Sequence, residues 1–257
     1  MPVRLDPWQN IVGVGWSTTE FPAFVGFVHA NSGNDPRVTS FEINIGLWNP
    51  GDLILVQVST GDADPVAITT FSGPAGWNLV DQRYMSGGIR LNERLGTDSL
   101  WSRFMEVGDS SLYTWTADQN VQFLTVASRI SGARQVGFPA AIAFRPSDTE
   151  APGSPGSASD VPFVPGIITS TPQNLLLMLM GVAGQQAQAT RYVPDPAFPL
   201  QIKAFHRSMS MTPFSGLNHT VHLYRENWPD AGATGDRTIS TFATGFENVW
   251  HLAIAPA

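Results

Sequence analysis

The sequence predicts an all-β fold, an antiparallel β-sandwich of jelly-roll-like character. Three observations predict it. Apolar side chains recur with a period of two, and the runs are short and bounded by Gly, Pro, Asn or Asp. No stretch of 12 or more residues joins a 3.6-residue period to helix caps.

From the N-terminus, Val12, Val14 and Trp16 alternate with Gly13 and Gly15, and Phe41, Ile43 and Ile45 alternate with Glu42 and Asn44. Such alternation lays one face of a strand on a core. The mostly apolar runs Leu53–Val58 and Leu175–Met180 follow Pro50-Gly51-Asp52 and Pro172-Gln173-Asn174. They are too short to stand as helices and read as buried strands. Leu112-Tyr113-Thr114-Trp115-Thr116 and Ile239-Ser240-Thr241-Phe242 return to strict alternation.

A β chain of 257 residues must cover two sheet faces, which a sandwich or a closed barrel does. An internal repeat favours a sandwich built by pseudo-duplication. Pro50–Leu55 matches Pro172–Leu177, and Arg103 matches Arg225, at an offset of 122. Gln119–Ala127 matches Glu247–Ala255 at 128, so a turn six residues longer is expected within Trp228–Gly235. Residues 146–166 are too rich in Pro, Ser and Gly to pack, and read as a connection between halves 46–145 and 167–257. Each half is thin for a sandwich of its own, so one domain spanning 46–257 is expected, each half supplying strands to both sheets. Residues 1–45 read as added N-terminal strands or a docking arm.

Composition narrows the function. The net charge is -7 with no basic run, which excludes a groove built to neutralise phosphates. With no Cys there is no disulfide, thiol nucleophile or Cys-bound metal. The N-terminus has no secretory h-region, and no apolar run is long enough to insert into a membrane. Eight Trp and 15 Phe, with Arg in place of Lys everywhere but Lys203, suit desolvated interfaces as well as a core.

Gly51-Asp52-Leu53-Ile54-Leu55-Val56, Pro74-Ala75-Gly76-Trp77-Asn78-Leu79-Val80 and Ser111-Leu112-Tyr113-Thr114-Trp115-Thr116 occur in that order. Ala231-Gly232-Ala233-Thr234-Gly235-Asp236-Arg237-Thr238 and Trp250-His251-Leu252-Ala253-Ile254-Ala255-Pro256-Ala257 follow. Over residues 47–257 this series resembles a group of bacteriophage tail-associated structural proteins. The resemblance implies a β-sandwich module assembled in the host cytoplasm into a virion, in a tail, tail fibre or capsid decoration. It implies other virion proteins and further copies of the chain as partners. The motif around Trp77 has no second-half match beyond Phe198-Pro199-Leu200.

Catalytic and cofactor signals are not found: there is no Gly-x-Ser-x-Gly elbow, and Gly13-Val14-Gly15 lacks the rest of a dinucleotide loop. No cofactor and no enzymatic activity are expected. For metals, Asp62 and Asp64 are weak candidates in a loop that reads better as a solvated turn, as does the loop with Asn31, Asn34 and Asp35. His219 and His222, three apart on a strand, would face opposite ways. Trp77 reads as core. The second reading of the chain is a host-glycan-binding module, with Trp8, Tyr84, Tyr192 and Trp228 as loop aromatics that would stack on sugar rings. A polysaccharide-degrading enzyme is a third.

Overall fold

A computed structural model of the chain describes residues 21–31, 38–61, 69–86, 94–145, 163–184, 191–193, 205–210, 218–240 and 245–257. Among these, every helix or strand assigned is a β-strand, and all the ladders are antiparallel. The expected all-β class is what the chain adopts.

The first half supplies β1 (Ala23–Asn31), β2 (Val38–Asn44), β3 (Leu53–Gly61), β4 (Phe71–Ser72), β5 (Asn78–Ser86), β6 (Arg94–Phe104) and β7 (Leu112–Ser131). Five of them form a sheet in the order β1-β7-β3-β6-β5. Strand β7 is 20 residues long. Its second part lies in that sheet, while its first part carries β2 and β4.

The second half supplies β8 (Ala141–Arg145), β9 (Phe163–Val164), β10 (Ile168–Thr169), β11 (Asn174–Gly184), β12 (Arg191–Val193) and β13 (Phe205–Ser210). It continues with β14 (Asn218–Trp228), β15 (Gly232–Ala233), β16 (Arg237–Ser240) and β17 (Gly245–Ile254). Its main sheet runs β8-β17-β11-β14-β13, beside a small sheet β9-β16-β12 and the pair β10-β15. The two main sheets therefore have one strand order, with β3 and β11 at their centres. Strand β16, just before β17, takes between β9 and β12 the place that the first part of β7 takes between β2 and β4.

The central strands explain the apolar runs. Ile54, Val56 and Val58 turn into a core with Phe41, Ile43, Phe71, Trp77, Trp101 and Trp115. Leu53 and Leu55 turn the other way, onto Leu175, Leu177 and Ile254 of the second half. Leu100 meets Leu179, Leu223, Trp250 and Leu252, and Leu124 and Val126 meet Val221. The two main sheets thus stack face to face, and β3 and β11 are buried on both faces. A strand covered on both sides has no solvent face to mark with polar residues. Polar groups are also shut inside the stack: Asp98, fully buried, accepts hydrogen bonds from the buried Ser59 hydroxyl and from the buried Asn248 Nδ2 at 3.0 Å.

Several expectations need correction. Among the described residues every ladder but one joins strands within 23–131 or within 163–257, so apart from β8 each main sheet is built from one half. Of the two readings of residues 1–45, the described parts, β1 and β2, take the first: they are added strands paired along β7 of the first half. The alternating Phe41 and Ile43 supply a wall of its core. Strand β8, which the sequence reading places in the first half, pairs with β17 of the second. The repeat register also shifts. Opposite Leu53 stand Phe104 and Ile130, and opposite Leu175 stand Asn227 and Ile254. Arg103 thus corresponds to Glu226 rather than Arg225, and Glu247–Ala255 corresponds to residues 123–131 rather than 119–127. Sliding a strand by four residues keeps every side chain on its face, so the sequence match and the ladder positions, four residues apart, both pair like with like. The turns after β6 and β14, residues 105–111 and 229–236, differ by one residue rather than six. The match of Pro50–Leu55 to Pro172–Leu177 agrees with the backbone, for Gly51 and Gln173 both have positive φ, 89° and 60°.

Candidate functional site

Leu53 and Leu175 lie in one cluster, so β3 and β11 begin at the same end of the stack. The loops there are tied together by backbone. Met105 N donates to Asp52 O, Ile45 N to Ser111 O, Arg134 N to Ala255 O, Gln173 N to Pro229 O and Thr234 N to Ile167 O, at 2.8 to 3.0 Å. This end carries a concavity.

Its anchor is the turn Pro74-Ala75-Gly76-Trp77, closed by Trp77 N donating to Pro74 O at 3.1 Å. Trp77 plugs into the core edge-on to Tyr113 and Trp115, with ring centres 5.1 and 5.0 Å away. Gly76 has φ of 80°, and a Cβ there would collide with the Arg103 guanidinium. Glycine at this position lets the turn close over Arg103. Arg103 donates through Nε to Asp109 Oδ2 at 2.9 Å, through Nη2 to Asp109 Oδ1, and through Nη1 to Ala75 O at 3.3 Å. Asp109 also accepts the Glu106 backbone N–H at 2.8 Å. The Arg103 hydrogen bond holds the Asp109 carboxyl below the usual carboxylate range, and the same bond raises Arg103. Burial pushes the nearby Tyr113 hydroxyl up.

Beside this clamp lies a groove of about 700 Å3. One wall is Asn78 and Leu79 of β5 with Ser102 and Arg103 of β6; the other is Gln135 and Phe138 of residues 132–140, which join β7 to β8 and so form the inter-half connection of the structure in place of 146–166, with Ile142 of β8. Glu106 stands at the rim. Leu79 and Ile142 are 47% and 42% exposed, so the walls offer apolar surface between polar groups.

The residues singled out from the sequence are not gathered here. Trp228 is not a loop platform: it closes β14 and is buried with Ile167, Leu176 and Ala253, leaving no ring face for a sugar. Tyr84 and Tyr192 belong to strands β5 and β12 rather than loops, and their side chains lie outside the described residues, as does Trp8. Asp62, Asp64, Asn34 and Asp35 and the side chains of His219 and His222 also lie outside them. Among the described residues no three His, Asp or Glu gather as a metal site would require. Trp77 is core, as read. The groove residues escaped the sequence reading because they are ordinary polar types drawn from three separate segments. The one available signal was the motif around Gly76 and Trp77, which fixes Arg103 at the groove wall.

Comparison with known protein families, curated proteins and solved structures finds no match for the chain.

Proposed function

We propose that the chain is a non-enzymatic structural protein of a bacteriophage particle, a tail or tail-fibre component or a capsid decoration. It works by associating with further copies of itself and seating on the particle. The reading takes the repeated strand order as an internal duplication of a jelly-roll-like unit.

One observation carries it. Of the eight large apolar residues exposed among those described, Leu47, Val107, Leu112, Val136 and Ile168 lie on the loops and strand ends where β3 and β11 begin; the loops of the opposite end lie outside the described residues. Leu47, Val107, Val136 and Ile168 are 70 to 88% exposed, the highest values of the eight. Several such side chains on adjoining loops offer an apolar surface that association would cover. The loops bearing them are tied by the backbone bonds described above, so little ordering is lost when they are covered.

The test is mass spectrometry of purified particles from the phage that encodes the chain. The reading expects the protein in the particle at a stoichiometry of several copies. Its absence from particles, with abundant protein in the infected cell, would overturn the virion assignment.

A further inference from the structure

We infer that the groove between β5–β6 and the inter-half connection binds a neutral, hydroxyl-rich ligand, a short saccharide chain. This inference does not rest on the assembly reading; it rests on the chemistry of the walls. Asn78 and Gln135 each present a carbonyl and an amide N–H2, and Ser102 presents a hydroxyl. Groups that donate and accept in the same place match sugar hydroxyls, which do both.

Charge narrows the ligand further. Arg103 brings the wall's guanidinium, but Asp109 already neutralises it through a two-point ion pair. Three of its five N–H donors are engaged by Asp109 and Ala75, so the fork is fixed in place and its terminal nitrogens retain donor capacity. The exposed carboxylate at the rim, Glu106, also feels the Arg103 charge, but Asp109 already pairs that guanidinium and the groove lining holds no second cation. A phosphate, sulfate or uronate would meet that carboxylate with no free positive charge to offset it. The half-exposed Leu79 and Ile142, with Phe138, give the C–H face of a sugar ring somewhere to lie. The cleft is formed where two packed units meet, a common place for a ligand site.

The experiment is saturation-transfer NMR on the full chain with neutral glucan, mannan, galactan and chitin oligomers at millimolar concentration. Their uronate and sulfated counterparts form a second arm. At least one neutral series is expected to bind, with affinity falling at least about tenfold in Asn78→Ala and in Gln135→Ala. Both residues are exposed, so the thermal midpoint should stay at the wild-type value. Ile142→Glu, which adds a second carboxylate to the groove, should also weaken binding. No neutral oligomer binding, binding unchanged in all three variants, or tighter binding of the charged counterparts would each overturn the inference. None of these outcomes bears on whether the protein is found in particles.

Discussion

The turns that lead into β3 and β11 solve one problem in two ways. In the first half Gly51 takes the positive φ, and Asp52 is buried with its carboxylate accepting Asn49 N at 2.6 Å and Arg129 Nε at 2.7 Å. In the second half Gln173 takes the positive φ, and the buried Asn174 donates its side-chain amide to Thr171 O. The ladder shows why the charge disappears: Arg129 lies opposite Ile54, and the matching residue opposite Leu176 is Ala253. A buried carboxylate needs a cation or several hydrogen-bond donors, and where the arginine is missing a neutral amide stands instead. The turn needs a buried polar side chain; whether that side chain is charged depends on the residue that the adjacent strand of the sheet places beside it.

Breaking this arrangement gives the largest expected effect. Arg129→Ala strands the Asp52 carboxylate and should cost about 3–5 kcal/mol in denaturant unfolding. The double variant Asp52→Asn with Arg129→Ala copies the second half and should recover most of that loss. If the double variant is no better than the single one, charge matching does not explain the difference between the halves.

Next in size are the residues on which the halves meet. Leu55→Ala and Leu177→Ala, on opposite sides of the same cluster, should each cost about 2–5 kcal/mol. Both should lower one shared unfolding transition, followed by calorimetry. Two separated transitions, with each variant moving only its own, would mean that the halves unfold independently.

A smaller effect sharpens the comparison of the turns. Gln173→Gly gives the second half the residue of the first and should stabilise by about 1 kcal/mol, because glycine has no Cβ to oppose a φ of 60°. The reverse change, Gly51→Gln, should lose a similar amount.

The smallest concerns pH. The Asp109 carboxyl is held low in the folded protein by Arg103, so its stabilising contribution is complete above the ordinary carboxylate pKa of about 3.9. That contribution should fade as pH drops through the lowered folded value. In an acid titration of the unfolding midpoint, Asp109→Asn should remove this part of the acid sensitivity and leave the rest of the curve in place.

What could be read from the sequence follows from the same physics. The central strands were visible because burial on both faces writes a nearly unbroken apolar run, as in Leu175–Met180. The turn before each was visible because Pro50-Gly51-Asp52 and Pro172-Gln173-Asn174 serve one backbone shape. Strand register was not visible, since residues 121–128 of β7 and 248–254 of β17 are buried on both faces and a four-residue slip leaves each side chain on its face. The division of sheets between halves was hidden for a related reason: alternation tells which residues face inward, not which strand lies alongside. The groove was hidden because Asn78, Ser102 and Gln135 acquire meaning only when β5, β6 and the inter-half connection meet. Trp228 misled because its neighbours Pro229 and Asp230 signal a loop, while the tryptophan itself ends the strand before it.

The claim that the exposed apolar end is an association face is tested most directly by the molar mass of the purified protein, measured by light scattering across micromolar concentrations. The account predicts a multiple of the 27.8 kDa chain mass for the wild type, and 27.8 kDa for a variant carrying Val107→Asp and Ile168→Asp. A wild type that stays at 27.8 kDa at every concentration, or an oligomer unmoved by the two aspartates, would contradict it.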